Sequence, residues 1–200
     1  MRGRSPILLK GTISALTAAL LLAACDGPAT HLGPPHPVIT GPGSLAITVA
    51  DLPPGWGVDP SVTRPITSPK FGDSSDDSAY RNNGWSSAYE AGFTYGGDNG
   101  SRIAVLIHQF NDPAGAKSFF AAGIGGQRGQ HGQELSHLAT LGQDSFDFIQ
   151  RFPERETQFW FYWIDRNIFV RVLVTGADGA ITEAAATEVA QRQARIVQRA

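Results

Sequence analysis

Two apolar runs, Thr157-Gln158-Phe159-Trp160-Phe161-Tyr162-Trp163-Ile164 and Ile168-Phe169-Val170-Arg171-Val172-Leu173-Val174, stand either side of Asp165-Arg166-Asn167 and leave this chain few ways to fold. Both are rich in β-branched and aromatic residues and both are bounded by turn formers, the pattern of two strands of one hairpin. A two-residue turn at Arg166-Asn167 sets Trp163 against Val170, Phe161 against Val172 and Phe159 against Val174, a face made only of core residues. On the opposite face it sets Ile164 against Phe169, Tyr162 against Arg171 and Trp160 against Leu173, with the Arg171 guanidinium placed to stack on Tyr162. A three-residue turn would shift every pairing by one. A strand with aromatics on both faces is either covered on both sides, or covered on one and lining a groove on the other. In the second case Trp160, Tyr162 and Arg171 form a ligand groove whose aromatic-plus-cation chemistry suits flat or anionic ligands.

The same reading supplies the rest of a sheet. Ser145 through Arg151 reads as a third strand, and Leu45-Ala46-Ile47-Thr48-Val49 as a short one. Tyr89, Ala91, Phe93 and Tyr95 alternate with smaller or polar residues, as do Ile103, Val105 and Ile107, and Gly96-Gly97-Asp98-Asn99-Gly100 joins the two runs as a hairpin. Residues 57–87 carry little pattern. Asp112 and Pro113 suit the cap and first position of a helix whose face is Ala116, Phe119, Phe120 and Ile124. A closing helix from Thr182 to Ala200 presents Ala186, Val189, Ala190, Ile196 and Val197, with Glu188 and Arg192 as an i,i+4 pair. The expected fold class is α+β, an antiparallel sheet of about five to six strands with two main helices packed on it.

The N-terminal part reads as an address. Arg2, Arg4 and Lys10 precede the apolar run Ile13 to Leu22, the layout of a secretory signal over residues 1–24. The run is too short to cross a ~30 Å hydrocarbon core as a helix. Residues 26–44 are dense in Pro and Gly, which predicts a disordered tether over 25–44 and a single globular domain over 45–200. Without the signal, three basic and no acidic residues are lost, and 13 basic against 18 acidic give a formal charge of −5. That balance argues against nucleic acid and anionic lipid surfaces as partners.

Leu22-Ala23-Ala24-Cys25 resembles the lipobox of bacterial lipoproteins. The resemblance implies that the Cys25 thiol receives a diacylglyceryl group and that cleavage leaves Cys25 as the first residue. It also explains a lone cysteine in an exported chain. With each acyl CH₂ contributing ~0.8 kcal/mol, two chains anchor stably where one would not. The expected location is the extracytoplasmic face of the cell membrane, held there by lipid on Cys25, with a small molecule or an envelope protein as partner.

Catalytic and metal motifs fail on inspection. Gly84-Trp85-Ser86-Ser87-Ala88 lacks the last glycine of a nucleophile elbow and precedes a strand. Gly123-Ile124-Gly125-Gly126-Gln127-Arg128-Gly129 follows a helix where a dinucleotide fingerprint follows a strand. The acidic cluster Asp73 to Asp77 lacks the ligand spacing of a calcium loop, and the pairs His31/His36 and His131/His137 lack companion ligands. His108 reads as a sheet residue with a satisfied partner. No catalytic residue, metal ligand or cofactor is assigned. Triads assembled from distant residues leave no local trace, so an envelope hydrolase is one alternative and a structural or assembly lipoprotein another.

Leu52-Pro53-Pro54-Gly55-Trp56, Phe110 with Asp112-Pro113-Ala114-Gly115-Ala116, Leu141-Gly142-Gln143-Asp144-Ser145 and Ile164-Asp165-Arg166-Asn167-Ile168-Phe169-Val170 together resemble a loose group of exported domains. These are bacterial lipoproteins, mostly actinobacterial, with a sensor-like α+β domain similar to the extracellular domains of membrane Ser/Thr kinases and to the Mog1/PsbP-like fold. The resemblance implies a binding or accessory module and brings no catalytic residues. The kinase domains contain disulfides that this chain cannot form, so their ligand properties are not carried over.

Overall fold

The hairpin foreseen at Arg166-Asn167 is the middle of the sheet. The computed structural model describes residues 36–68, 77–96, 100–127, 133–135, 141–152 and 155–200. The signal segment 1–24, Cys25, the tether up to residue 35, Asp73 to Asp76, the loop residues 97–99, His131 and His137 lie outside the described residues. The strands are β1 (Trp56–Val58), β2 (Arg64–Ile66), β3 (Trp85–Tyr95), β4 (Arg102–Phe110), β5 (Gln133–Glu134), β6 (Asp144–Phe152), β7 (Glu156–Asp165) and β8 (Ile168–Ala177). The helices are α1 (Asp77–Asn82), α2 (Pro113–Gln127) and α3 (Glu183–Arg199). All strands pair antiparallel in the order β1-β3-β4-β8-β7-β6-β5, with β2 also on β3. The fold is therefore α+β, as expected.

Register follows the two-residue turn: Trp163 pairs with Val170, Tyr162 with Arg171 and Trp160 with Leu173. Arg166 takes φ 53°, and its guanidinium Nη2 donates to Val197 O at 2.6 Å, placing a cation on the C-terminal carbonyls of α3. Because successive side chains alternate, Phe159, Phe161, Trp163, Val170, Val172 and Val174 all face one core beneath α3. The opposite face builds a second, aromatic core in which Phe119 of α2 meets Phe110, Phe169 and Tyr80 at ring separations of 5.2, 5.2 and 4.4 Å. As expected from Asp112-Pro113, α2 starts at Pro113, and Gly115 N donates to Asp112 Oδ1 at 2.8 Å.

Two expectations are corrected. Leu45 to Val49 is no strand: 3-10 turns at Pro42–Leu45 and Val49–Asp51 flank an extended step. Thr48 and Asp51 cap each other locally, and the Gln193 side chain of α3 takes the backbone that a partner strand would take. Gln193 Oε1 accepts from Ile47 N at 2.9 Å and its Nε2 donates to Leu45 O at 2.6 Å. The domain also begins before residue 45, because Val38 and Pro42, assigned to the tether, are buried. A buried amide, Asn167, satisfies the Val38 backbone and so lets an otherwise Pro/Gly-rich segment pack. The weakly patterned stretch 57–87 contributes β1, β2 and α1.

Candidate ligand-binding trough

The face carrying Arg171 is only half covered. Towards the hairpin turn, α2 lies over His108, Phe169 and their neighbours. Towards the other end of the strands, the same face opens into a trough of about 520 Å³. Cross-strand register lays out its rows. Gly92, Ala104 and Leu173 form the floor across β3, β4 and β8, Arg171 stands one step along β8 on one side, and Arg102 and Thr175 stand opposite. Val62, from the loop between β1 and β2, closes one end against Gly92, where a Cβ would sit 2.8 Å from the Val62 side chain. Gln158 and Glu156 of β7 border the other end.

Polar groups in the trough divide into satisfied and unsatisfied. Asp59 accepts from Ser61 Oγ at 2.6 Å and Ser61 N at 3.0 Å, bonds that, with a smaller contribution from Arg102, hold its carboxyl below the ordinary range. Glu156 Oε1 accepts from Gln158 Nε2 at 2.6 Å, and Gln158 Oε1 accepts from Trp160 Nε1 at 3.0 Å, a chain that fixes the Gln158 amide. Glu90 lies opposite Arg64 in the β2–β3 register. Arg171 differs: its guanidinium carbon lies 5.8 Å from the centre of the Trp160 ring, and its buried Nε has no hydrogen-bond partner among the described residues.

The three residues read from the sequence are thus placed differently. Arg171 lines the trough. Trp160, half-buried, stands behind it, stacked between Phe148 at 5.8 Å and Tyr162 at 6.1 Å, and orients both Arg171 and Gln158. Tyr162 is only 7% exposed and belongs to the aromatic core, so it does not line the trough. Burial pushes its phenol up to about 12, with the nearby Arg171 charge acting in the opposite direction. The guanidinium expected on Tyr162 lies over Trp160 because Tyr162 is enclosed by Phe146, Phe148 and Phe169. Asp59, Val62 and Arg102 escaped the sequence reading. The parity of Glu90, Gly92 and Ala104 was visible along the first hairpin, whereas the adjacency of β4 and β8 was not.

The hydrolase alternative finds no constellation at its named residues. His108 is fully buried, Trp85 Nε1 donates to its Nδ1 at 3.1 Å, and desolvation, helped by Arg171, pushes its imidazole down to about 3. Ser86 is exposed, and its hydroxyl donates to the Gln109 carbonyl at 3.0 Å. Among the described residues, no group of three His, Cys, Asp or Glu side chains is placed to hold a metal ion.

Fold and site define a class: an antiparallel α+β domain with an aromatic-backed trough on one sheet face. A solved structure similar to this chain in fold is the extracellular domain of PknH from Mycobacterium tuberculosis, at a TM-score of 0.61 and 14% identity, covering 82% of this chain and 99% of that one. At that identity the likeness is one of fold. No protein-family model matches the chain, and no curated protein matches it in sequence. Among the described residues, no helix is long and apolar enough to cross a membrane.

Proposed function

We propose that this chain is a lipid-anchored, non-catalytic binding module, sensor-like in design, held by Cys25 on the extracytoplasmic face of the cell membrane. The observation that carries the binding reading is the uncovered half of the Arg171 face, where a half-buried guanidinium without an acidic partner among the described residues borders a trough of about 520 Å³. A cation that borders a cavity without an acidic partner is available to a ligand, and an anionic group that reaches it forms a charge-assisted hydrogen bond. The fold likeness to an extracellular domain agrees with the export signal read in residues 1–24.

Two measurements test this. In an expressing bacterium, a fatty-acid analogue should label the wild type and not Cys25→Ser; equal labelling of both removes the anchor. Native mass spectrometry of protein released from membranes should show a small-molecule adduct on the wild type that is lost in Ala104→Trp, which fills the trough floor. Identical spectra for the two folded proteins would remove the trough as the binding site.

A further inference from the structure

The trough's charges, taken one by one, specify its ligand more narrowly than its shape does. Three carboxylates and two guanidiniums border it. Asp59 is held by Ser61 and lies in the field of Arg102. Glu156 is engaged by Gln158. Glu90 faces Arg64 across the β2–β3 pair. Each acidic group therefore has a polar or cationic neighbour of its own, and Arg171 is the charge left over. It forms no salt bridge among the described residues: its cross-strand neighbours are Leu106 and Tyr162, and the one carboxylate on its row, Glu90, stands a strand further off beyond Leu106, directly opposite Arg64.

We infer that the trough takes a small monoanionic ligand, a carboxylate carried on a flat apolar body, with the carboxylate on Arg171 and the body over Ala104 and Leu173. This rests on the trough being a binding site, and it adds the chemical class of what is bound. Three features select that class. The two terminal Nη groups of a guanidinium form a fork that matches the two oxygens of a carboxylate, and in Arg171, which lines the trough, they make no hydrogen bond or ion pair among the described residues. The Trp160 ring, 5.8 Å from the guanidinium carbon, holds Arg171 in place before a ligand arrives, which reduces the ordering needed on binding. The surrounding Asp59, Glu90 and Glu156 disfavour a second negative charge, so a dianion such as a phosphate monoester gains less than a monoanion. Gly92 and Ala104 keep the floor low beside Leu173, leaving an apolar slot for a ring.

The probe is 2-naphthoate, with 2-naphthamide as its neutral isostere and 2-naphthyl phosphate as the dianion, titrated calorimetrically into the mature chain. Saturable one-to-one binding of the naphthoate is expected, with both analogues at least about tenfold weaker. Arg171→Gln should abolish the preference for the carboxylate over the amide, and Arg171→Lys, which keeps the charge and loses the fork, should recover only part of it. Thermal melts of each variant establish that it is folded. No naphthoate binding by the folded wild type at millimolar concentration, or naphthamide binding as tightly, overturns the ligand class. Equal binding of all three probes, lost in Ala104→Trp, would overturn the class and leave the trough standing. Naphthoate binding unchanged in both Arg171→Gln and Ala104→Trp would overturn the two together.

Discussion

Asn167 binds Val38 as a neighbouring strand would: Val38 N donates to Asn167 Oδ1 at 2.6 Å, and Asn167 Nδ2 donates back to Val38 O at 3.1 Å. The same Nδ2 also donates to Phe110 O at 2.8 Å, so one side-chain amide joins the N-terminal segment, the end of β4 and the central hairpin. Gln193 repeats the device further along the segment, on Leu45 and Ile47. Gln109 adds a third amide, its Nε2 donating to Val38 O at 2.7 Å, so side-chain amides fasten this segment in a chain with a single cysteine.

Asn167→Ala removes the side-chain partner of Val38 N and a donor to Phe110 O, while Val38 O keeps Gln109 Nε2, and should cost about 1–3 kcal/mol. Gln193→Ala should cost a similar amount, and urea unfolding with intrinsic tryptophan fluorescence measures both. A loss below about 0.5 kcal/mol for either would show that the segment finds other partners.

Stability should fall with acidity through His108. Its imidazole is neutral in the fold, with its ordinary value of 6.5 lowered to about 3, whereas the unfolded chain protonates near 6.5. Between those values the unfolded state binds more protons, so stability is complete above pH 6.5 and declines as pH falls towards 3. By pH 5 this single group should account for about 2 kcal/mol. Comparison of urea unfolding at pH 7 and pH 5 should show a smaller difference in His108→Gln than in the wild type. The groups around His108 include Trp85, Tyr80 on α1, Phe119 on α2 and the Arg171 charge, and none of them is a carboxylate that would reverse the sign.

Two glycines of α2 should respond in opposite directions to the same change. At Gly123 an added Cβ meets nothing within 4 Å, so Gly123→Ala should stabilise by about 0.5–1 kcal/mol through helix propensity. At Gly115 the Cβ would collide with the Asn83 carbonyl oxygen, backbone that cannot swing aside, and Gly115→Ala should destabilise by about 1–3 kcal/mol. Thermal melts of the two variants side by side check the contrast.

Trp160→Phe tests the support behind Arg171. Phenylalanine keeps a ring for the guanidinium and loses the indole N–H that holds Gln158. The fold should persist, while naphthoate binding should weaken by about threefold to tenfold. Unchanged affinity would mean that Gln158 needs no fixing.

Alternation made most of the sheet legible. The hairpin register around Arg166-Asn167, the partnership of β3 with β4 and the start of α2 at Pro113 all followed from local pattern, because turn chemistry and period-two alternation act within a few residues. The stretch from Leu45 to Val49 was misread for the converse reason: its alternation is real, yet its backbone partner is a glutamine 146 residues away. Tyr162 and Arg171 were paired correctly and still have different surroundings, since burial depends on where α2 ends over the face.

By itself, then, the sequence marked the five long strands and the residues that share each face, and offered the two-residue turn as one of two registers, together with the expectation of export and anchoring at Cys25. Tertiary structure decided what those faces meet. The order β3-β4-β8-β7 brought Gly92 and Ala104 beside Leu173, and the rings of Phe146, Phe148 and Phe169 enclosed Tyr162 while Arg171 was left at an open trough. Side-chain direction is local chemistry, written in alternation. Whether that direction leads to core or to solvent depends on elements distant in sequence, and only packing brings them together.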